Sequence, residues 1–411
     1  MELLSPAGNV EKLKYAYQYG ADAAYIGLHS FSLRAKADNF GQDEAEEIAR
    51  IKGDKKLFCA LNIFFHNQDL YRLEESLDQF EAYPFDAFII SDMGIVRTLQ
   101  KRFPGRSLHL STQANALNSD AVKLYRDLGF KRVILGRECS LQDIARIRAD
   151  VPDIELEAFA HGAMCLAYSG RCFLSKWMID RSANDGSCAH SCRWDYRPLE
   201  GPANTEMVLE EGERPGEYYP IYEGDGFTSI LSSKDICMID YMKELKDTGI
   251  DSLKIKGRMK SIYYTAIVTR AYRKMIDSLE GKKDPQLEGY REELMKVSHR
   301  EFSTGFYFGK DDIEQPTGKM EASPYKFLGS IGKEISPGEY ELDVKNQILT
   351  SREIEYIGPD LLFQADNSFS LKDPEGVLIE KIDHGKPCTI IPGCPVKEGY
   401  ILRQNIQNQA N

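Results

Sequence analysis

No run of apolar residues in this chain reaches the roughly 18 needed to cross a bilayer, so no membrane-spanning helix is expected. Basic charge is not in excess either: the formal net charge is −12, which argues against indiscriminate coating of nucleic acid. A selective RNA enzyme stays open if basic residues gather on one face. No secretory leader is read at the start, and a cytoplasmic location is the expectation. Several catalytic fingerprints are missing. No G-x-G-x-x-G follows the first strand, so the dinucleotide signature is absent. G-x-S-x-G and H-E-x-x-H are absent, which removes the common hydrolase and zinc-peptidase signals, and no His/His/carboxylate spacing marks a non-haem iron triad. Low-complexity tracts and internal repeats are also lacking. An apolar fraction of 42% is nevertheless enough for a real core.

Cysteine is distributed unevenly. Of nine, Cys165, Cys172, Cys188 and Cys192 crowd into one stretch, with six, fifteen and three residues between them. Disulfides are the weakest explanation, because the total is odd, the other five are scattered singly, and a cytosolic chain keeps its thiols reduced. A structural zinc site usually shows tight Cys-x-x-Cys knuckles on both sides. The wider spacing here, with Gly162, Gly170 and Gly186 allowing the backbone to bend, favours a four-thiolate [4Fe-4S] cluster, with zinc as the alternative.

Strand-like runs at 2–6, 23–27, 57–63, 86–91, 107–111, 132–136, 154–160 and 252–256 alternate with amphipathic helical patterns. Eight such units predict an α/β fold, a (β/α)₈ TIM-like barrel over 1–318; a doubly wound open sheet is the competitor. The long stretch 161–235 reads as an insertion that carries the cysteines and caps the barrel mouth, including a hairpin. For 200–216 alone a solvent loop is the other reading. From 319 to 411 short strands and Gly/Pro turns predict a small antiparallel β-barrel.

One stretch also carries a family resemblance. Glu157, Phe159, Gly162, Ala163, Met164, Cys165, Gly170, Cys172, Leu174 and Ser175 match the signature of the U32 family, historically called collagenase-like peptidases. ELLSPAG, GADAAYIG, HLSTQANALN, VILGRECS, SSKDI and LKIKGRMKS extend the likeness across most of 1–310. One departure is the run KIKGR at 254–258, where the family pattern has KIEGR. The chain most resembles the family's bacterial tRNA 5-hydroxyuridine enzymes. That resemblance implies O2-independent, prephenate-dependent hydroxylation of wobble uridine, with tRNA and a small dicarboxylate as partners. It also leaves room for a paralogous subunit. Siblings hydroxylate a ribosomal RNA cytidine or a quinone ring, and the inherited peptidase label is the rival activity.

In such barrels chemistry sits where strands run into helices. His161, Arg137, Asn62 and Gln113 are the candidates for the chemistry itself, and Arg34, Arg258, Lys260, His66 and Asn115 for substrate binding. Guanidinium groups grip carboxylates in a bidentate fashion, which suits a dicarboxylate; pairing with a cap carboxylate or an RNA phosphate is the alternative. Histidine offers proton transfer, or simply a structural hydrogen bond. Asn62, Gln113 and Asn115 suit the reading of an extruded base, or the satisfaction of loop backbone.

Overall fold

The computed structural model describes residues 1–28, 31, 44–165, 208–210, 218–220, 222–224, 227–229, 234–309, 320–321 and 323–406. Two compact units emerge: one of residues 1–17, 21–260 and 299–321, the other of 18–20, 261–298 and 322–411. A single cut at 318 therefore does not describe the division. Residues 261–298 group with the C-terminal sheet.

In the first unit eight parallel strands close on themselves. They are β1 (Glu2–Pro6), β2 (Ala23–Ile26), β3 (Lys56–Leu61), β4 (Ala87–Ile90), β5 (Ser107–Leu110), β6 (Arg132–Ile134), β7 (Glu155–Ala163) and β8 (Ser252–Ile255). Each pairs with the next, and β8 pairs with β1 through Glu2↔Ser252, which completes the barrel expected from the alternating pattern. Between the strands lie α1 (Val10–Gln18), α2 (Ala45–Lys52), α3 (Asn67–Ala82), α4 (Val96–Arg102), α5 (Ser119–Asp127), α6 (Leu141–Asp150) and α7 (Met242–Asp247). Parallel strands with helices outside are buried on both faces, which is why β4 reads AFII with every residue buried.

Short polar side chains set the local geometry. Asn9, Asn118 and Ser140 accept from the first-turn amides of Lys12, Ala121 and Asp143, which starts α1, α5 and α6. At the opposite pole of the barrel one device recurs three times. The residue just before β2, β4 and β8 is an aspartate, and its Oδ2 accepts the amide of the second residue of the preceding partner strand. The pairs are Asp22 with Leu3 (2.8 Å), Asp86 with Leu57 (2.7 Å) and Asp251 with Leu156 (2.8 Å).

Within the stretch expected to form the cap, the described residues make two short antiparallel ladders, Val208–Glu210 with Tyr218–Pro220 and Tyr222–Gly224 with Phe227–Ser229. A further strand, Asp235–Cys237, runs antiparallel to the end of β7 and parallel to Phe302–Ser303, so the sheet is prolonged at the mouth. Asp235 and Ile236 thus belong to the barrel's own sheet.

The second unit holds α8 (Ile262–Leu279), α9 (Leu287–Glu293) and an eight-stranded antiparallel sheet. Its strands are β9 (Tyr325–Ser336), β10 (Glu339–Val344), β11 (Ile354–Ile357), β12 (Gln364–Asp366), β13 (Ser370–Lys372), β14 (Leu378–Ile379), β15 (Cys388–Ile391) and β16 (Ile401–Asn405). Their order is β12-β11-β16-β9-β10-β15-β13-β14. The sheet is curled into a half-barrel, and no ladder joins β12 to β14 among the described residues. Register shifts in β9 bend it, and at Gly329 a Cβ would lie 2.2 Å from the Asp343 carbonyl oxygen. The inner face packs Leu328, Ile331, Leu342, Tyr356, Leu371, Ile390 and Leu402.

Buried arginines explain why α8 and α9 belong to this unit. Arg270 of α8 donates to the carbonyls of Gly358 and Leu361 at 2.8 and 2.7 Å. Arg403 of β16 grips Glu293 of α9 with two nitrogens and also meets Tyr263 and Glu355.

Candidate functional site

The inside of the barrel is not purely apolar. Near the amino ends of the strands Glu157, 0% exposed, accepts from Arg132 Nη1 and from Lys254 Nζ, each at 2.9 Å. Arg132 also reaches Glu2 at 2.6 Å and Glu155 at 2.7 Å, and Lys56 closes the chain on Glu2 at 2.9 Å. Burial works against charge on both cations. Three carboxylates outweigh it for Arg132, whose pKa is raised, whereas Lys254 has one and its pKa is lowered. His109 lies beside this network, edge-on to Phe58, and burial with the neighbouring cations holds it neutral. Glu157, the first residue of the signature, is therefore a structural centre.

Above this layer the carboxyl ends of the strands collect the polar groups. After β3 and β4, the Ser91 hydroxyl lies 3.2 Å from the Asn62 carbonyl, and Asp92 accepts from the amides of Phe65 and Gly94, both at 2.7 Å. After β5 a short turn, Thr112–Ala114, buries Gln113, and Asn115 follows in the left-handed region with φ 54°. After β6 comes Arg137, 5% exposed, whose charge acts on the buried phenol of Tyr307; that phenol donates to the Phe159 carbonyl at 2.7 Å.

His161 ends the inward row of β7. Its ring centroid lies 5.3 Å from that of Phe302, on whose other neighbour, His299, Phe302 stacks at 4.1 Å. Burial first, then the charges of His299 and Lys260, pushes the His161 pKa down to about 3, so the ring is neutral at ordinary pH. Gly162 follows with φ 113°, and a Cβ there would meet the Lys256 carbonyl oxygen at 2.5 Å, so this signature glycine is required sterically. Lys256 donates to the Ala163 carbonyl at 2.9 Å and ties the end of β8 to β7. Arg258 is buried with its guanidinium carbon 5.9 Å from the Tyr25 ring centroid. Gly8 packs under it: a Cβ there would lie 2.3 Å from the Arg258 carbonyl oxygen.

The candidate residues thus converge, with one exception in character. Asn62, Gln113, Asn115, Arg137, His161, Arg258 and Lys260 sit at one rim of the barrel, as does Cys165. His66 is exposed at the start of α3, where its amide donates to Asp69 at 3.0 Å. Arg34, Cys172, Cys188 and Cys192 lie outside the described residues. Tyr307, Phe302 and His299 were not anticipated, because they arrive from a segment distant in sequence. The alternation of Glu155, Glu157 and Lys254 within apolar strands was the available signal for the interior network.

Thiol environments separate Cys165 from the other described cysteines of the barrel. Cys59, Cys139 and Cys237 are buried, and burial pushes Cys139 up to about 12 and Cys59 further, so Cys59 and Cys139 stay protonated and inert. Cys165 is a partly exposed thiol just past β7. That position and exposure fit a metal or cluster ligand.

Comparison with known proteins places this geometry in a family. The chain is 35% identical to tRNA hydroxylation protein P of Escherichia coli K12, over 98% of this chain and 92% of that protein. It is 37% identical to tRNA hydroxylation protein P1 of Bacillus subtilis 168, over 88% and 84% of the two chains. The 23S rRNA 5-hydroxycytidine C2501 synthase of Escherichia coli K12 matches at 34% over 68% of this chain and 40% of its own length. Residues 8–317 match peptidase family U32, and the chain belongs to that family.

Proposed function

We propose that this protein is a tRNA-modifying hydroxylase that converts wobble uridine to 5-hydroxyuridine without O2. Prephenate is the small dicarboxylate co-substrate, and Cys165, Cys172, Cys188 and Cys192 hold a [4Fe-4S] cluster. The observation that carries the reading is the near end-to-end likeness to a tRNA hydroxylation protein, which leaves neither domain unmatched. The polar rim supports it.

Within that reading Arg137 and Arg258 anchor the two carboxylates, because a buried planar guanidinium binds a carboxylate with two parallel hydrogen bonds. Lys260 adds positive charge beside them. Neutral His161 is available as a hydrogen-bonding group and not as a fixed cation. A cluster held by those four thiolates would supply one-electron exchange. Replacing C5–H by C5–OH removes two electrons from the base: the co-substrate C–OH bond breaks, its hydroxyl is delivered to C5, and the C5 hydrogen and those two electrons end on the co-substrate, as in R–OH + H–C5 → R–H + HO–C5.

The test is anaerobic incubation of purified protein with transcript tRNA and prephenate, followed by nucleoside mass spectrometry. A 5-hydroxyuridine product that requires prephenate supports the proposal. Unmodified uridine from protein with full iron and sulfide would refute it. Ribosomal RNA and denatured collagen, assayed in parallel, read out the sibling substrate and the peptidase activity of the family name.

A further inference from the structure

Two amides in the turn after β5 have half of their hydrogen-bonding capacity committed, and the uncommitted halves differ in kind. Gln113 is 3% exposed, and its Oε1 lies 3.3 Å from the hydroxyls of Ser91 and Ser111; the one Ser91 hydrogen also has the Asn62 carbonyl at 3.2 Å, so Ser111 is the donor that holds Oε1. That fixes the orientation of the amide and leaves Nε2, a buried donor, without a hydrogen-bond partner among the described residues. Asn115 is fixed in the opposite sense. Its Nδ2 donates to the Gln113 carbonyl at 2.9 Å, and Oδ1, a buried acceptor, has no hydrogen-bond partner among the described residues. The neighbouring hydroxyl cannot compensate, because Thr112 Oγ1 donates to the Leu135 carbonyl at 3.0 Å.

Leaving such buried groups unpaired is costly, so the turn is built for a ligand edge that presents a donor beside an acceptor. Carboxylates and phosphates present acceptors only; one would satisfy Gln113 but set lone pair against lone pair at Asn115. The dicarboxylate is therefore anchored elsewhere. The imide edge of uracil supplies both groups in one plane.

We infer that the Gln113–Asn115 turn reads the base: Asn115 Oδ1 accepts from uracil N3–H, and Gln113 Nε2 donates to the adjacent carbonyl. This rests on the uridine-hydroxylase reading above. Cytosine carries its donor and acceptor in the reverse order along that edge, so the same pair of amides selects against it.

The experiment measures anaerobic binding of anticodon stem–loop RNAs to the cluster-loaded protein by fluorescence anisotropy. The RNAs carry uridine, N3-methyluridine or cytidine at the wobble position. Wild-type protein is expected to bind the last two about tenfold or more weakly, the cost of one unpaired buried group. Asn115→Gly keeps the left-handed backbone free of strain. It should lose a similar factor for uridine and show no further penalty for N3-methyluridine. Gln113→Glu keeps the acceptor that Ser111 uses but removes the donor, and should weaken uridine binding while prephenate affinity is unchanged. Equal wild-type affinity for uridine and N3-methyluridine overturns the inference. So does an Asn115→Gly loss of the same factor on both. Hydroxylation is scored separately: turnover without base discrimination sinks this inference alone, and discrimination without turnover sinks the hydroxylase reading alone.

Discussion

Glu157 offers the sharpest test of how the barrel is held together. Its carboxylate is fully enclosed and is the shared partner of Arg132 and Lys254, each at 2.9 Å. Arg132 keeps Glu2 and Glu155 when Glu157 is removed, but no other carboxylate contact is seen for Lys254 among the described residues, so Lys254 is left as a buried ammonium. Breaking a buried pair in this way costs about 3–5 kcal/mol, and at roughly 2–4 °C per kcal/mol for a domain of this size the barrel transition should fall by about 6–20 °C in Glu157→Leu. Thermal unfolding followed by far-ultraviolet circular dichroism, under anaerobic conditions, measures the shift, and urea unfolding measures the free energy. Raising the salt concentration should change the gap little, because enclosed charges are poorly screened. The double variant Glu157→Leu/Lys254→Met should recover at least half of the loss, since a well-packed apolar pair substitutes for a buried ion pair. A loss below about 1 kcal/mol for Glu157→Leu would refute the reasoning, because Lys254 would then be finding water or another partner at little cost.

Three further outcomes are expected. His161, held near pKa 3, and His109, held well below its ordinary value, stay neutral when folded but take up protons when unfolded below about pH 6.5. Stability is thus full above that pH and falls on acidification by about 1.4 kcal/mol per pH unit per histidine; urea midpoints between pH 7.5 and 5.5 should show a shallower slope in His109→Phe. Cys165→Ala should reduce iron and sulfide per chain while leaving the barrel's circular dichroism intact, and an unchanged iron content would remove Cys165 from the ligand set. Asp22→Ala removes the acceptor of the Leu3 amide and should cost about 1.5–3 kcal/mol in urea unfolding, whereas a change within error would mean that water replaces the carboxylate.

Much of the barrel was readable from one dimension. Runs such as AFII and LFCAL are apolar, short and spaced by helices, and parallel pairing buries them on both faces, so their number and order follow from the sequence alone. The crowding of Cys165 with three other cysteines, and the placement of Gln113, Asn115, Arg137 and Arg258 just past strands, were legible for the same reason: the carboxyl end of a barrel strand is a position known in advance. Tertiary structure alone decided the rest. Tyr307 reaches the Phe159 carbonyl across 148 residues, and Phe302 settles between two histidines, contacts that no local pattern encodes. Only packing reveals that Glu157 supports the core, that Lys256 ties two strand ends together, and that α8 folds with the C-terminal sheet through Arg270. Sequence periodicity reports which face of an element is buried; which distant groups share that burial, and so which charges must be paired, is fixed only when the chain closes.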